Sequence, residues 1–373
     1  MTFKPLKLPP RNAQTKPKLL WFSPTPQHSS SFSLVSRELL KRVEGFEKYY
    51  AGLHYYGAPQ TFEDYTLLPC QSAEQLLYYA SNIKPDILVL HHSPVSLQGL
   101  NPIAENLKKN AKKLVLIVPV EGYPMTFNFE PLFQQADLII THSRYSQECL
   151  AKHGFKSEVI YHGVSPIFKP AKEKPNPFTV GVVSSHVWRK QLTRIIDAYN
   201  IIRARNHPID LKIYASTYDA SPWMPDLKKY METVAPEAYY HEGIYVNIPL
   251  SYEKMPQIYH QFSVLANPVS ESFGLTMLEA MACGVVPITI PELSSAPEVV
   301  GDCGIYVKVK DTLTLNIGRI ALVDVEDLAE KIIWASQNPD KLERLSHKAV
   351  ERAKNFTWEN SADRLKSLMR RIM

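Results

Sequence analysis

The sequence predicts an α/β protein built from two doubly wound, Rossmann-like halves that face a central cleft. Three observations lead there. Short β-branched or apolar runs alternate with amphipathic helical stretches along nearly the whole chain. The rhythm breaks once, at a proline-rich segment near the middle. The length of 373 residues is too great for one ordinary α/β domain and comfortable for two.

In the first half, strands are expected at Lys18–Ser23, Phe46–His54, Asp86–His91, Lys113–Val118, Asp137–Thr141 and Val159–Tyr161. Amphipathic stretches lie between them at Phe32–Val43, Ala73–Ala80, Pro102–Asn110 and Tyr145–His153. The segment Gly163–Pro177 then carries four prolines and no periodicity, the composition of an interdomain linker. In the second half, strands are expected at Phe178–Val183, Asp210–Ala215, Phe262–Asn267, Val285–Ile288 and Ile305–Val309. Helices are expected at Gln191–Arg205, Tyr252–Gln261 and Gly274–Ala282, and three more close the chain at Val325–Gln337, Asp340–Lys354 and Glu359–Met373. The implied organisation is a basic lead-in (1–17), a first domain (18–165), a linker (166–177), a second domain (178–355) and a terminal helix (356–373). In such sheets, ligands sit at the carboxyl ends of the strands, so two facing halves form a binding cleft.

Composition narrows the function classes. Apolar residues make up 45% and charged residues 21%, as in a soluble globular protein. No apolar run reaches the length of a membrane span, and the N-terminus lacks a signal-peptide core. The four cysteines are scattered without a CxxC pair, which argues against a zinc site or a disulfide framework and fits a cytoplasmic location. The net charge of +5 is mild and interspersed, so nucleic-acid binding is not expected. The densest basic patch, Lys108, Lys109, Lys112 and Lys113, reads either as a solvated helix end or, with the basic lead-in, as a peripheral contact with an anionic membrane.

The segment Asn267-Pro-Val-Ser-Glu-Ser-Phe-Gly-Leu-Thr-Met-Leu-Glu-Ala-Met-Ala-Cys-Gly284 carries the chemistry. A strand ends, a small loop follows, and a strong helix-forming run stops at Gly284, where a left-handed residue is wanted. A helix start presents free N–H groups and a positive dipole end, which favour a diphosphate. Glu271 lies in the loop and Glu279 two turns into the helix; eight residues at about 1.5 Å each give a span of about 12 Å, the scale of a nucleotide sugar. Carboxylates suit both ends of such a ligand because they accept hydrogen bonds from vicinal hydroxyls. Two solvent-facing glutamates on an ordinary strand–loop–helix are the bland alternative.

This segment resembles the glutamate–seven–glutamate motif of family 4 of the retaining GT-B glycosyltransferases (glycosyl transferases group 1). The resemblance implies the GT-B fold, a donor site in the second domain and metal-independent transfer of a hexose from a UDP- or GDP-sugar to an acceptor hydroxyl. Glu271 would hold the hexose, Glu279 the ribose, and Phe273, Gly274, Leu275 and Thr276 would border the phosphates. Gly181-Val-Val-Ser-Ser-His-Val-Trp-Arg-Lys-Gln191 resembles the family's first strand and helix of that domain, with Lys190 as the diphosphate lysine. The arginine of many members falls at Ser185 here, and Arg189 stands ready to replace its charge. Two cations at a helix start are electrostatically awkward without an anion.

Other segments extend the likeness. Ala136–Ser143 resembles the last strand of the first domain, and Tyr161-His-Gly-Val-Ser165 the turn into the linker. Pro297-Glu298-Val299 resembles the segment after the donor motif, and Phe356-Thr-Trp-Glu-Asn360 the start of a helix that crosses back to the first domain. Departures fall on the acceptor side. The usual glycine-rich loop is replaced by Ser23–Phe32, where Ser30 and Ser31 read equally as a helix cap or as donors to a phosphate or acceptor oxygen. The usual histidine after the fourth strand is missing; Glu121 is the polar residue there, either a solvated loop glutamate or a group that orients or deprotonates the acceptor. His91 and His92 close the third strand toward the cleft, with His92 a candidate acceptor-side residue and metal binding not expected. The implied partners are a nucleotide sugar and a glycan, lipid-linked or protein acceptor. A non-catalytic sugar-nucleotide binder and a nucleotide-sugar epimerase are the competing readings. Base choice is expected to depend on loops around Gly243–Tyr252.

Overall fold

In a computed structural model, the described residues are 16–28, 30–217, 223–234, 243–248 and 251–373. Most of the basic lead-in and part of the Gly243–Tyr252 segment therefore lie outside the described residues. Two parallel sheets and one hairpin form the framework. The first sheet comprises β1 (Lys18–Pro24), β2 (Glu47–Leu53), β3 (Gln60–Phe62), β4 (Tyr65–Cys70), β5 (Ile87–His91), β6 (Lys113–Ile117), β7 (Leu138–Thr141) and β8 (Glu158–Val159). Its order is β3-β4-β2-β1-β5-β6-β7-β8, with only β3 antiparallel to its neighbour. The second comprises β9 (Phe178–Ser185), β10 (Ile209–Ser216), β11 (Ile244–Val246), β12 (Val264–Ala266), β13 (Val286–Thr289) and β14 (Ile305–Tyr306), ordered β11-β10-β9-β12-β13-β14.

The apolar runs that predicted strands are near-continuous because both faces of each sheet are covered. In β1, Leu20 and Phe22 join one core while Leu19 and Trp21 join the opposite one. The same split separates Leu88 and Leu90 from Ile87 and Val89 in β5. The second core includes Val35 and Leu39 of the helix Ser31–Leu40, and it is sealed by the terminal helix Trp358–Ile372, through Trp358, Leu365, Leu368 and Met369. That helix packs onto the first sheet, and Arg364 and Arg371 pair with Glu158 of β8.

Several expectations need correction. Tyr65–Cys70 and Gln60–Phe62 are strands that the sequence reading missed, since Pro69 and the run Leu67-Leu68 hide the period of two. The helix expected over Tyr252–Gln261 is a 3₁₀ turn, Tyr252–Lys254, followed by Met255–Tyr259, because Pro256 starts a new helix rather than continuing one. The strand expected over Ile305–Val309 stops at Tyr306; from Val309 the chain forms a separate antiparallel hairpin, β15 (Val309–Leu315) and β16 (Gly318–Val323). The linker is packed: Phe168 is buried against Tyr252 and Tyr259, and the Lys174 ammonium donates to the Gly284 carbonyl at 2.8 Å. Each lysine of the basic patch is paired, Lys108 and Lys113 with Asp137, Lys112 with Asp86 and Lys109 with Glu105. That pairing supplies the solvated-helix-end reading with its partners. No described helix is long and apolar enough to cross a membrane.

Candidate functional site

The second sheet reverses its winding between β9 and β12, which lie side by side. The carboxyl ends of these two strands carry the basic pair and the first glutamate, so the switch point of the fold assembles them. After β9 the chain makes a 3₁₀ turn, Trp188–Lys190, and passes through Gln191 at φ +48 into the helix Leu192–Ala204. After β12 it runs through Asn267–Ser272 and enters the helix Leu275–Ala282 by way of Gly274 at φ +85. The left-handed conformation favours glycine here; a Cβ would meet only the Met277 methyl, the movable end of a flexible side chain, at 2.1 Å.

Arg189, Lys190 and Glu271 meet there. The Lys190 ammonium pairs with Glu271 Oε1, and Arg189 Nη1 lies 3.6 Å from Glu271 Oε2. The Glu271 side chain keeps 8% of its exposure and Lys190 11%. Burial would push the Glu271 carboxyl up, but Lys190 and then Arg189 outweigh it and hold the group below its usual range. The Lys190 ammonium is lowered, first by burial and next by Arg189, against the pull of Glu271. The Asn267 amide donates to Glu271 Oε1 at 3.3 Å. The Glu271 main chain is fixed from the loop after β13: its N–H donates to Ser294 Oγ at 3.3 Å and its carbonyl accepts from Ser295 N–H at 2.9 Å. The anion that the basic helix start requires is supplied, in this structure, by carboxylates.

Glu279 is the fifth residue of its helix, just past the first turn rather than two turns in, because the helix begins at Leu275 and not in the loop. It is buried, and the Tyr259 hydroxyl donates to Oε2 at 2.7 Å. Burial pushes its carboxyl up to about 7, against the hydrogen bonds of Tyr259 and Tyr252. The Phe273 ring is turned into the core against His162, Tyr161 and Phe356, so its main chain, not its ring, borders the helix start. Leu275 packs against the first domain's core, while Thr276 and Ser185 are half-buried.

On the opposite wall, Glu121 follows β6 and its Oε1 lies 2.6 Å from Arg189 Nη2. The structure thus joins Glu121 to the Arg189–Lys190–Glu271 cluster. Ser30 is an N-cap: its Oγ accepts from Ser33 N–H at 3.2 Å, and Ser31 is the exposed first residue of the helix. His92 is half-buried beside Phe32, with ring centroids 4.6 Å apart, and its Nδ1 accepts from Ser93 N–H. His91 does not face the cleft; it is buried beside Trp21, and Ser36 Oγ lies 2.7 Å from its Nδ1. Its proximity to Trp21 reflects the two-sided burial of β5, which strand-end position alone did not reveal.

Two features were missed. Glu298 accepts the one main-chain N–H of Arg144 on both carboxylate oxygens, at 2.8 and 2.9 Å, and the Tyr161 hydroxyl at 2.6 Å, capping a first-domain helix from the second domain. Nearby, Ser143 Oγ donates to the Ser272 carbonyl at 2.5 Å. No local signal marks the Arg144–Glu298 contact, which spans 154 residues. The hairpin β15–β16 also reaches the first domain: Thr126 N–H donates to the Asn316 carbonyl at 2.8 Å and Arg319 N–H to the Tyr123 carbonyl at 3.2 Å. Here the alternating Thr312-Leu-Thr-Leu315 before Asn316-Ile-Gly318 was a readable hairpin signal.

Residues 165–352 match the family model described as glycosyl transferases group 1. The chain belongs to that family. Among curated relatives, O-antigen chain mannosyltransferase B of Escherichia coli is 32% identical over 109 residues, 29% of this chain and 25% of its own. A D-inositol 3-phosphate glycosyltransferase of Rhodococcus erythropolis is 33% identical over 118 residues, 31% of this chain and 24% of its own. The chain thus matches about a quarter of the length of these relatives. Solved structures align along almost all of it. Sucrose-phosphate synthase from Thermosynechococcus elongatus superimposes with a TM-score of 0.72 at 14% identity, covering 96% of this chain and 99% of that one. Anabaena HepE, solved with UDP and glucose, gives 0.70 at 16% identity, covering 95% and 99%. The fold is the GT-B fold that the sequence led us to expect.

Proposed function

We propose that this protein is a retaining, metal-independent glycosyltransferase that moves a hexose from a UDP- or GDP-sugar to an acceptor hydroxyl. The observation that carries the reading is the Arg189–Lys190–Glu271 cluster at the switch point, with Glu279 buried on the helix that follows. Arg189 and Lys190 hold the donor diphosphate and stabilise the negative charge that grows on it as the glycosidic bond breaks, the role a metal ion plays elsewhere. Glu271, kept ionised by both cations, accepts from hexose hydroxyls and stabilises positive charge near the anomeric carbon. Glu279 accepts from the ribose hydroxyls. Glu121, from the first domain, orients or deprotonates the acceptor. Closure of the two domains keeps water from the donor. Family membership and the UDP and glucose bound by Anabaena HepE support the reading.

A panel of UDP- and GDP-sugars with glycan, lipid-linked and protein acceptors tests it, with EDTA present and the anomeric configuration of the product read by NMR. Transfer with retention that EDTA leaves intact is expected. No turnover with any donor, together with unchanged nucleotide binding in Glu271→Ala, would sink the reading.

A further inference from the structure

The four charged groups of the cluster balance: Arg189 and Lys190 against Glu271 and Glu121. Three belong to the second domain; Glu121 is the one that comes from the first. Its carboxylate and the Arg189 guanidinium are largely enclosed, at 18% and 19% exposure. Arg189 Nη1 is buried and makes no hydrogen bond, having only the ion-pair contact with Glu271 Oε2 at 3.6 Å, while Glu121 holds the other edge of the guanidinium.

Glu121 is not on a free loop. Its neighbours are clamped by β15–β16 through the Thr126–Asn316 and Arg319–Tyr123 main-chain bonds. The clamp is a close backbone contact: a Cβ on Gly318 would lie 2.3 Å from the Gly122 carbonyl carbon, and one on Gly122 2.8 Å from the Arg319 oxygen. The hairpin is in turn held by residues adjoining the cations. Gln191 Nε2 donates to the Ala321 carbonyl at 2.6 Å, and Gln191 Oε1 accepts from Val323 N–H at 3.2 Å. Ser270 Oγ accepts from Ala321 N–H at 3.0 Å. One strap therefore ties the Glu121 backbone to residues next to Lys190 and Glu271.

We propose that Glu121 is an internal stand-in for the donor diphosphate: it occupies Arg189 in the unloaded protein, and a bound nucleoside diphosphate displaces it. The inference rests on the transferase reading above. A diphosphate added to a balanced, largely buried cluster leaves uncompensated negative charge there. Swinging Glu121 away returns Arg189 to the ligand and lets Nη1 find a hydrogen-bond partner, while the strap keeps the Glu121 backbone in place. The displaced carboxylate is then free for the acceptor, so acceptor activation waits for a loaded donor site.

Calorimetric titration of the full chain with UDP and GDP, and with uridine and guanosine as phosphate-free probes, tests this in wild type and Glu121→Gln. The variant is expected to bind the preferred diphosphate about tenfold more tightly, with nucleoside affinity unchanged and sugar transfer reduced. Equal or weaker diphosphate binding by E121Q overturns the proposal, as does an equal gain for the nucleoside, which would mean a reshaped site. Should E121Q fold poorly, Glu121→Asp, with the charge drawn back by one methylene, is expected to gain about threefold; no gain there overturns it as well. A wild-type protein that binds neither diphosphate counts against the transferase reading itself.

Discussion

At the scale of single residues, Glu271 and Glu279 live in opposite electrostatic environments. Glu271 has two cations beside it and stays ionised; Glu279 has tyrosine hydroxyls and is pushed up to about 7. Glu271→Gln leaves Lys190 and Arg189 without their shared partner. We expect transfer to fall by about 100-fold or more, read from initial rates, and folding stability to drop by about 3–5 kcal/mol, read from denaturant melts. For Glu279 the sign follows from its raised carboxyl. Below about pH 4.5 the group is protonated both folded and unfolded, so it adds no pH dependence. Between about 4.5 and 7 the unfolded chain ionises while the folded one holds its proton, and stability drains away as pH rises. Glu279→Gln should therefore be increasingly stabilised relative to wild type from pH 5 to pH 8 in paired thermal melts. If Glu279 holds the donor ribose as proposed above, donor affinity should run the other way, strengthening with pH through about 7 as the carboxylate forms.

At the scale of elements, the helix Arg144–Ala151 is held by a residue from the other domain. Glu298 satisfies N–H groups at its first turn and also ties down Tyr161 where the chain enters the linker. Glu298→Ala is expected to cost about 1–2 kcal/mol, measured by urea unfolding. The same change should raise hydrogen exchange at Arg144 and Tyr145 more than in the β1–β5 core, because the lost bonds are local to that helix start. Uniform exchange across the first sheet would contradict the assignment.

At the scale of the whole molecule, the first domain's strand ends and the linker converge on three touching imidazoles. The His142 ring lies tilted against His162 at 4.0 Å between ring centroids and meets His91 edge-on at 5.9 Å. His162 also packs on Phe273 and on Trp358 of the terminal helix. Burial, and for His91 and His162 the neighbouring imidazoles, hold all three below the usual histidine range, His142 at about 4. The unfolded chain therefore binds more protons than the folded one below about pH 6.5. Stability present above that value is lost as pH falls toward 4. Replacing His142 with Asn should flatten this acid limb, measured by urea melts from pH 7 to pH 4.5, with little change in slope above pH 7.

Much of the second half was legible because its signals are local. The strand that ends within one residue of Asn267, the loop carrying Glu271 and the left-handed stop at Gly284 are set by neighbouring residues, and the structure places them where spacing and propensity put them, while the left-handed Gly274 at the helix entry was not read. Helix Val325–Gln337 was readable for the same reason, with Asp324 as its cap and a clear apolar face. What the sequence left open depends on residues far apart in the chain. Whether Ser30 caps a helix or meets a ligand, whether His91 faces the cleft, and which partner Glu121 takes are settled by packing between segments. Glu298 and the β15–β16 strap act across the domain boundary, where no short-range pattern reports the contact. The sequence by itself determined the strand–helix alternation of the two halves and the local strand–loop–helix path of residues 267–284, since both arise from periodicity and from neighbouring groups. Only the tertiary structure decided how Arg189 is shared between Glu121 and Glu271, because burying charges forces them into pairs and the pairs are chosen by which distant loops the fold brings together.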